Sequence, residues 1–221
     1  MTQQAFFDAI AADERGRVSD LLAEAPGLAE ARHESGVSAV LFALYRGRGA
    51  IAETIAARVG GLDVHELAAL GRAEVLGRHL DDTPGAVSAW SADGFQPLHL
   101  AAFYAHVGAM RVLIARGADV DAKARHPAGM APIHSAAASR RAEAVAVLLD
   151  AGAQPDAVQA GGFTALMSAS AHGLEDMVEA LLRAGAEPGR AADDARTAAN
   201  LARSAGFEAL AARLDAVSGR D

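Results

Sequence analysis

The chain contains no cysteine. Disulfides, thiolate metal sites and cysteine nucleophiles are therefore excluded. Lysine is almost absent too: Lys123 is the only one, so basic character rests on arginine. Aromatic residues make up only 5% of the chain, so its core must be aliphatic. No run approaches the ~20 uninterrupted apolar residues that cross a bilayer, so no membrane association is expected. The amino terminus, Met1-Thr2-Gln3-Gln4, lacks a basic segment followed by a long apolar one. No secretory signal is read there, and the expected location is cytoplasmic.

Positive charge is scarce and scattered. The formal net charge is −8, and Arg140-Arg141 is the only adjacent basic pair. A nucleic-acid binder needs a basic stripe to neutralise phosphates, so nucleic acid is not an expected partner. A protein partner with a basic face is favoured instead, because opposite fields speed encounter. The plainer alternative is that net acidity keeps an Ala-rich protein soluble. Phosphate loops, nucleophile elbows and dinucleotide fingerprints are also missing. Gly60-Gly61 and Gly161-Gly162 lack the residues that must follow and read as turns. The bias towards Ala, Arg and Gly suggests a GC-rich bacterial source.

What the chain does have is a repeated frame. Trp90-Ser91-Ala92-Asp93-Gly94-Phe95-Gln96-Pro97-Leu98-His99-Leu100-Ala101-Ala102 opens its best copy, and Leu113-Ile114-Ala115-Arg116-Gly117-Ala118-Asp119 closes it. Gly129-Met130-Ala131-Pro132-Ile133-His134 repeats the opening, as does Gly162-Phe163-Thr164-Ala165-Leu166-Met167. A worn copy reads Arg196-Thr197-Ala198-Ala199-Asn200-Leu201. His99, His134, Met167 and Asn200 hold equivalent positions, and the interval between them is nearly constant. The first interval is slightly longer than the other two, which reflects a short insertion at His126-Pro127-Ala128. Pro97 and Pro132 fall at a first helical position, where a missing N–H costs nothing. Thr164 and Thr197 stand one residue earlier and can cap the helix, whereas Ala131 cannot. Gly117, Gly152 and Gly185 follow the second helices, as left-handed helix ends require. Upstream the frame is fainter. Asp63 to Gly71 looks like a shortened first helix, Gly36 to Leu44 another start, and Phe6 to Ala31 a first unit.

This frame resembles an ankyrin repeat, whose period is about 33 residues. The resemblance covers residues 5 to 215 and is most specific from 90 to 190. It implies an all-α solenoid of helix-turn-helix units joined by β-turn finger loops, in a single domain over residues 1–217. Seven units are expected, near 5–32, 33–61, 62–90, 91–124, 125–159, 160–190 and 191–217. The outer two act as caps, and 218–221 form a tail. It further implies a non-catalytic module that binds a protein through its concave face and turn tips, with no cofactor and as a monomer. The competing reading is a small-molecule sensor with a pocket in the concave groove near Tyr104.

Eight histidines invite a metal site, but the equivalents that follow His99 and His134 are Met167 and Asn200, so a third ligand is missing. The resemblance gives these two histidines a structural role, bonding turn backbone across a repeat junction. His33-Glu34 and His65-Glu66 lack the second histidine of a zincin helix. The late first-helix positions are more informative: Tyr45-Arg46, Ala69-Leu70, Phe103-Tyr104, Ala138-Ser139 and Ala171-His172. Both tyrosines of the chain fall among them. With Asp93 and Met130 at the turn tips, Tyr45, Arg46, Phe103, Tyr104 and His172 are the expected partner-binding residues, being types that anchor interfaces. Phe95, Phe163 and Trp90 read instead as cover for the layer beneath them.

Overall fold

The computed structural model describes residues 3–219, which form fourteen α-helices in seven antiparallel pairs. The pairs are α1 (Gln3–Ala11) with α2 (Arg15–Glu24), α3 (Ala39–Tyr45) with α4 (Gly49–Ala56), and α5 (Val64–Ala69) with α6 (Ala73–Asp82). They continue with α7 (Pro97–Phe103) and α8 (Val107–Ala115), α9 (Pro132–Ala138) and α10 (Ala142–Asp150), and α11 (Ala165–Ala171) and α12 (Glu175–Arg183). The last pair is α13 (Ala198–Ser204) with α14 (Glu208–Ser218). Odd-numbered helices pack on one another along one layer, and even-numbered helices stack behind them. Of the segment read as a tail, Ser218 belongs to α14, and residues 220 and 221 lie outside the described residues.

Helix starts follow from local chemistry. The side chains of Thr164 and Thr197 accept from the N–H groups of Met167 and Asn200, both at 3.3 Å. Ser38 does the same for Leu41. Asp63 caps α5 by accepting from His65 and Glu66 at 2.9 and 3.0 Å, so that helix begins one residue later than the sequence pattern places it. Ala131 has no capping side chain, and the His134 ring compensates: its Nδ1 accepts the Ala131 N–H at 3.1 Å. His99 accepts from the Gln96 N–H in the same way.

Between pairs the chain forms short two-stranded fingers. Each carries a backbone bond from its first strand to its second: His33 N–H to Val37, Ser91 to Phe95, Ala124 to Met130, Gln159 to Phe163 and Ala192 to Arg196. Successive fingers are tied by Arg125 N–H to the Gly94 carbonyl, Ala160 to Ala128, and Asp193 to Gly161, at 2.8–2.9 Å. Gly94 must be glycine here. Its φ is +86°, and a Cβ would lie 2.9 Å from the Arg125 backbone.

The third pair breaks this regularity. Residues 57–63 pass from α4 to α5 without a finger, so α5 follows α3 more closely than any later inner helix follows its predecessor. The fingers of the second and fourth units close over the gap, and a Cβ on Gly36 would touch that of Ala92 at 3.0 Å. The apolar core divides at the same place. One cluster runs from Phe6 to Leu70 and includes Leu100; the other runs from Val64 to Leu214. Helix α5 contributes to both, with Val64, Leu67 and Ala68 in the larger and Ala69 in the smaller, where Leu70 joins it just past the helix end.

Candidate interaction face

Inner helices α3, α5, α7, α9, α11 and α13 start at equivalent positions, so the last places of each helix fall on one row. These residues are Tyr45, Leu70, Phe103, Ala138, Ala171 and Ser204. The cap at Asp63 corrects the second of these: the pair equivalent to Tyr45-Arg46 is Leu70-Gly71, and Ala69 is buried. Large side chains therefore occupy this row in the second to fourth units and small ones in the fifth to seventh.

Tyr45 is 39% exposed and Phe103 46% exposed, in a chain whose other large apolar side chains are nearly all covered. The Arg46 guanidinium lies over the Phe42 ring, 5.0 Å from its centroid. The Tyr45 hydroxyl lies near the Asp93 carboxylate, and burial together with that carboxylate raises the Tyr45 pKa far above its ordinary value. Asp93 also accepts from the Ser91 hydroxyl at 2.6 Å. A side chain of the second unit thus reaches the finger of the fourth, across the fingerless third.

Tyr104 departs from expectation. Read from sequence it faces solvent; in the structure its ring is half-buried and its hydroxyl is buried with no hydrogen-bond partner. It packs edge-on against Phe103 at 5.1 Å and stacks on His106 at 6.3 Å. His106 in turn lies over Gly71, where a Cβ would come within 2.6 Å of the ring. The absence of a side chain at Gly71 leaves room for the His106 ring on which Tyr104 stacks. Desolvation is the main reason the Tyr104 pKa is raised, and Asp93 adds to it.

Met130 and His172 line a different part of the face. With Ala138, Phe163, Met167 and Leu201 they border an apolar trough of about 270 Å³ along α9, α11 and α13. His172 is exposed, with Nδ1 donating to the Ser168 carbonyl at 2.9 Å. The residues expected to form one site therefore fall into two: Tyr45, Arg46, Asp93, Phe103 and Tyr104 towards the amino-terminal end, Met130 and His172 towards the other. The largest hollow touching Tyr104, about 760 Å³, is polar and open. It sits at the helix-to-helix loops with Arg140, Arg141, Glu143 and Asp176, and is not the deep apolar pocket a small-molecule sensor requires.

Trp90, Phe95 and Phe163 are finger residues, each covered by a cation or ring of the next finger. Arg125 lies over Trp90 at 4.5 Å, His126 over Phe95 at 5.6 Å, and Arg196 over Phe163 at 5.4 Å.

The histidines have the junction role. His99 Nε2 donates to the Met130 carbonyl at 3.0 Å and His134 Nε2 to the Phe163 carbonyl at 3.3 Å, while each Nδ1 accepts a backbone N–H. A ring that accepts at one nitrogen and donates at the other is neutral. Glu66 holds the equivalent place in α5, its carboxylate accepting the Asp63 N–H at 2.9 Å. His65, one place earlier on the helix, bonds the Ala89 carbonyl through Nε2 at 3.0 Å. The spacing of Asp63 and Glu66, an acid three residues after a capping residue, was the signal that could have found this pair.

Burial lowers the pKa of both His99 and His134 below the ordinary 6.5. The unfolded chain then binds more protons between 6.5 and the lower folded values, so stability falls as pH drops through 6.5. Thermal unfolding should show a lower Tm at about pH 5.5 than at about pH 7.5. Asn200 fills the same position in the last unit, where its Oδ1 accepts the Thr197 N–H at 3.0 Å. His134→Asn keeps that bond and removes the titration, so its Tm should depend less on pH. An unchanged pH slope would show that His134 is not held neutral by the fold.

The ankyrin-repeat family model, in three copies, matches residues 98–192. Residues 98–192 are thus ankyrin repeats, and the all-α architecture is consistent with an ankyrin solenoid. Ankyrin repeats are in general protein–protein interaction modules, and the family is typically non-enzymatic. Among the described residues no helix is long and apolar enough to cross a membrane.

Proposed function

We propose that residues 3–219 act as one non-catalytic interaction domain of seven units that holds a protein partner along the inner-helix face and finger tips. The observation that supports this most is the pairing of position with exposure. Tyr45 and Phe103 occupy the same inner-helix site and both are exposed. Tyrosine and phenylalanine left in water in a chain this poor in aromatics are the side chains a partner would cover. The row then shrinks to Ala138, Ala171 and Ser204, so the face offers an aromatic ridge followed by the Met130–His172 trough. Asp93 and Asp63 near Tyr45 favour a partner with a basic face at that end. The domain works as a monomer in this reading.

The partner is to be found by pull-down of the tagged full chain from its native host, followed by affinity measurement. Tyr45→Ala and Phe103→Ala should each weaken binding by about 2 kcal/mol or more, as truncated aromatic anchors do. Arg183→Ala, exposed on α12 in the outer layer, should leave binding intact. Tyr104→Ala should weaken binding and also lower folding stability, because its ring is packed. Undiminished binding by both Tyr45→Ala and Phe103→Ala would move the interface to the trough at Met130 and His172.

A further inference from the structure

We infer that the solenoid is two cooperative bodies hinged at the fingerless third unit, with residues 3–61 able to open from the rest while the remaining repeats stay folded. The device does not depend on what the face binds. In a regular solenoid each unit is held by its neighbours through helix stacking and finger-to-finger bonds, and its stability is a sum of such nearest-neighbour terms. Both terms are weakened at one place. The finger ladder, tied by backbone bonds from Gly94 to Asp193, has no such bond between the 33–36 turn and Ala92 among the described residues. The apolar core parts into two clusters along α5, the shortest of the fourteen helices.

Polar groups fill the seam. Hollows of about 310 and 400 Å³ flank the start of α5, and Arg32, Ser38 and Asp63 line both. Glu66 is 5% exposed there, its carboxylate accepting the Asp63 N–H at 2.9 Å. A carboxylate thus stands where the neutral rings of His99 and His134 stand at later junctions, and two hollows lie beside it. What closes the hinge is a small set of contacts that reach over α5. Leu100, 3% exposed, packs into the amino-terminal cluster although it lies on α7, and the Tyr45 side chain reaches towards Asp93.

Leu100 gives the hinge a sharp test. Leu98 lies just before it on the same helix, is fully buried, and belongs to the larger cluster. Native-state hydrogen exchange of the full chain, read by mass spectrometry, should show α1–α4 opening at lower denaturant than α9–α12. Leu100→Ala should then lower protection in α1–α4 by about tenfold or more, and leave α9–α12 nearly unchanged. Leu98→Ala should act mainly on α7–α12. A wild-type chain in which all helices exchange through one common opening would overturn the hinge. So would Leu98→Ala and Leu100→Ala giving the same protection map. Should either variant fail to fold, the wild-type exchange profile alone decides between one opening and two.

Discussion

Deleting residues 191–221 is expected to give a protein that aggregates and melts well below the full chain. Helices α13 and α14 cover the face of the sixth unit. Ala198, Ala199, Leu201 and Ala202 of α13, and Leu210, Ala211 and Leu214 of α14, are buried on the inward side. The outward positions of α14 are exposed and include Glu208, Arg213 and Asp215. Several specific ties go with them. Phe207 lies over Gly173, close enough that a Cβ would meet its ring at 2.5 Å, and Arg213 pairs with Glu175 at 3.4 Å. Without this unit Leu166 and Leu181, now 1% and 0% exposed, meet water. The loss is about 1.5–3 kcal/mol for each such side chain, and the bared apolar face is free to join another molecule. Light scattering and a thermal melt check this. A truncated chain that stayed monomeric with an unchanged Tm would show that the last unit is not a cap.

Leu148→Ala is expected to cost about 2–5 kcal/mol, while Arg183→Ala stays within about 0.5 kcal/mol. Leu148 is fully buried on α10, in the cluster that α9, α11 and α12 share. Close-packed neighbours on several helices cannot all move in to fill the void, so the cavity persists and adds to the lost transfer energy. Arg183 is exposed, and its Nε only bonds the Glu179 carbonyl of its own helix at 3.4 Å. For a chain of this size the Leu148→Ala cost corresponds to a fall in Tm of roughly 4–20 °C. It should appear in the transition of the larger body, since the amino-terminal cluster does not contain this residue. Equal effects for the two variants would remove the helical register from which the whole stack is built.

Much of the architecture could be read from short segments, because it is encoded in short segments. The proline at a first helical position, the threonine one residue before it, and the glycine beyond the second helix each satisfy a local demand of backbone geometry. A handful of adjacent residues reveals them, and their recurrence at one near-constant interval reveals the stack. The exposed row at Tyr45 and Phe103 was legible for the same reason, being a fixed offset from the helix start. The histidine bonds at His99 and His134 came from the family resemblance, and the structure puts the Glu66 carboxylate in the same place on α5.

The tertiary structure decided the rest. Asp63 and Ala131 show the limit of local reading: one turned from helix residue to cap, and the other was relieved by the ring of His134. Tyr104 shows it more strongly. Its frame position placed it towards solvent, but its ring stacks on His106 and packs against the amino-terminal cluster. The division of the core at α5, and the membership of Leu100 in the amino-terminal cluster, depend on which units touch over a missing finger. By itself the sequence determined the repeat, its helices and its caps, since each is set by the bonding needs of a few neighbouring residues. Where the stack is continuous and where it is cut was decided only when distant units packed, because burial is shared between residues that lie a repeat or more apart along the chain.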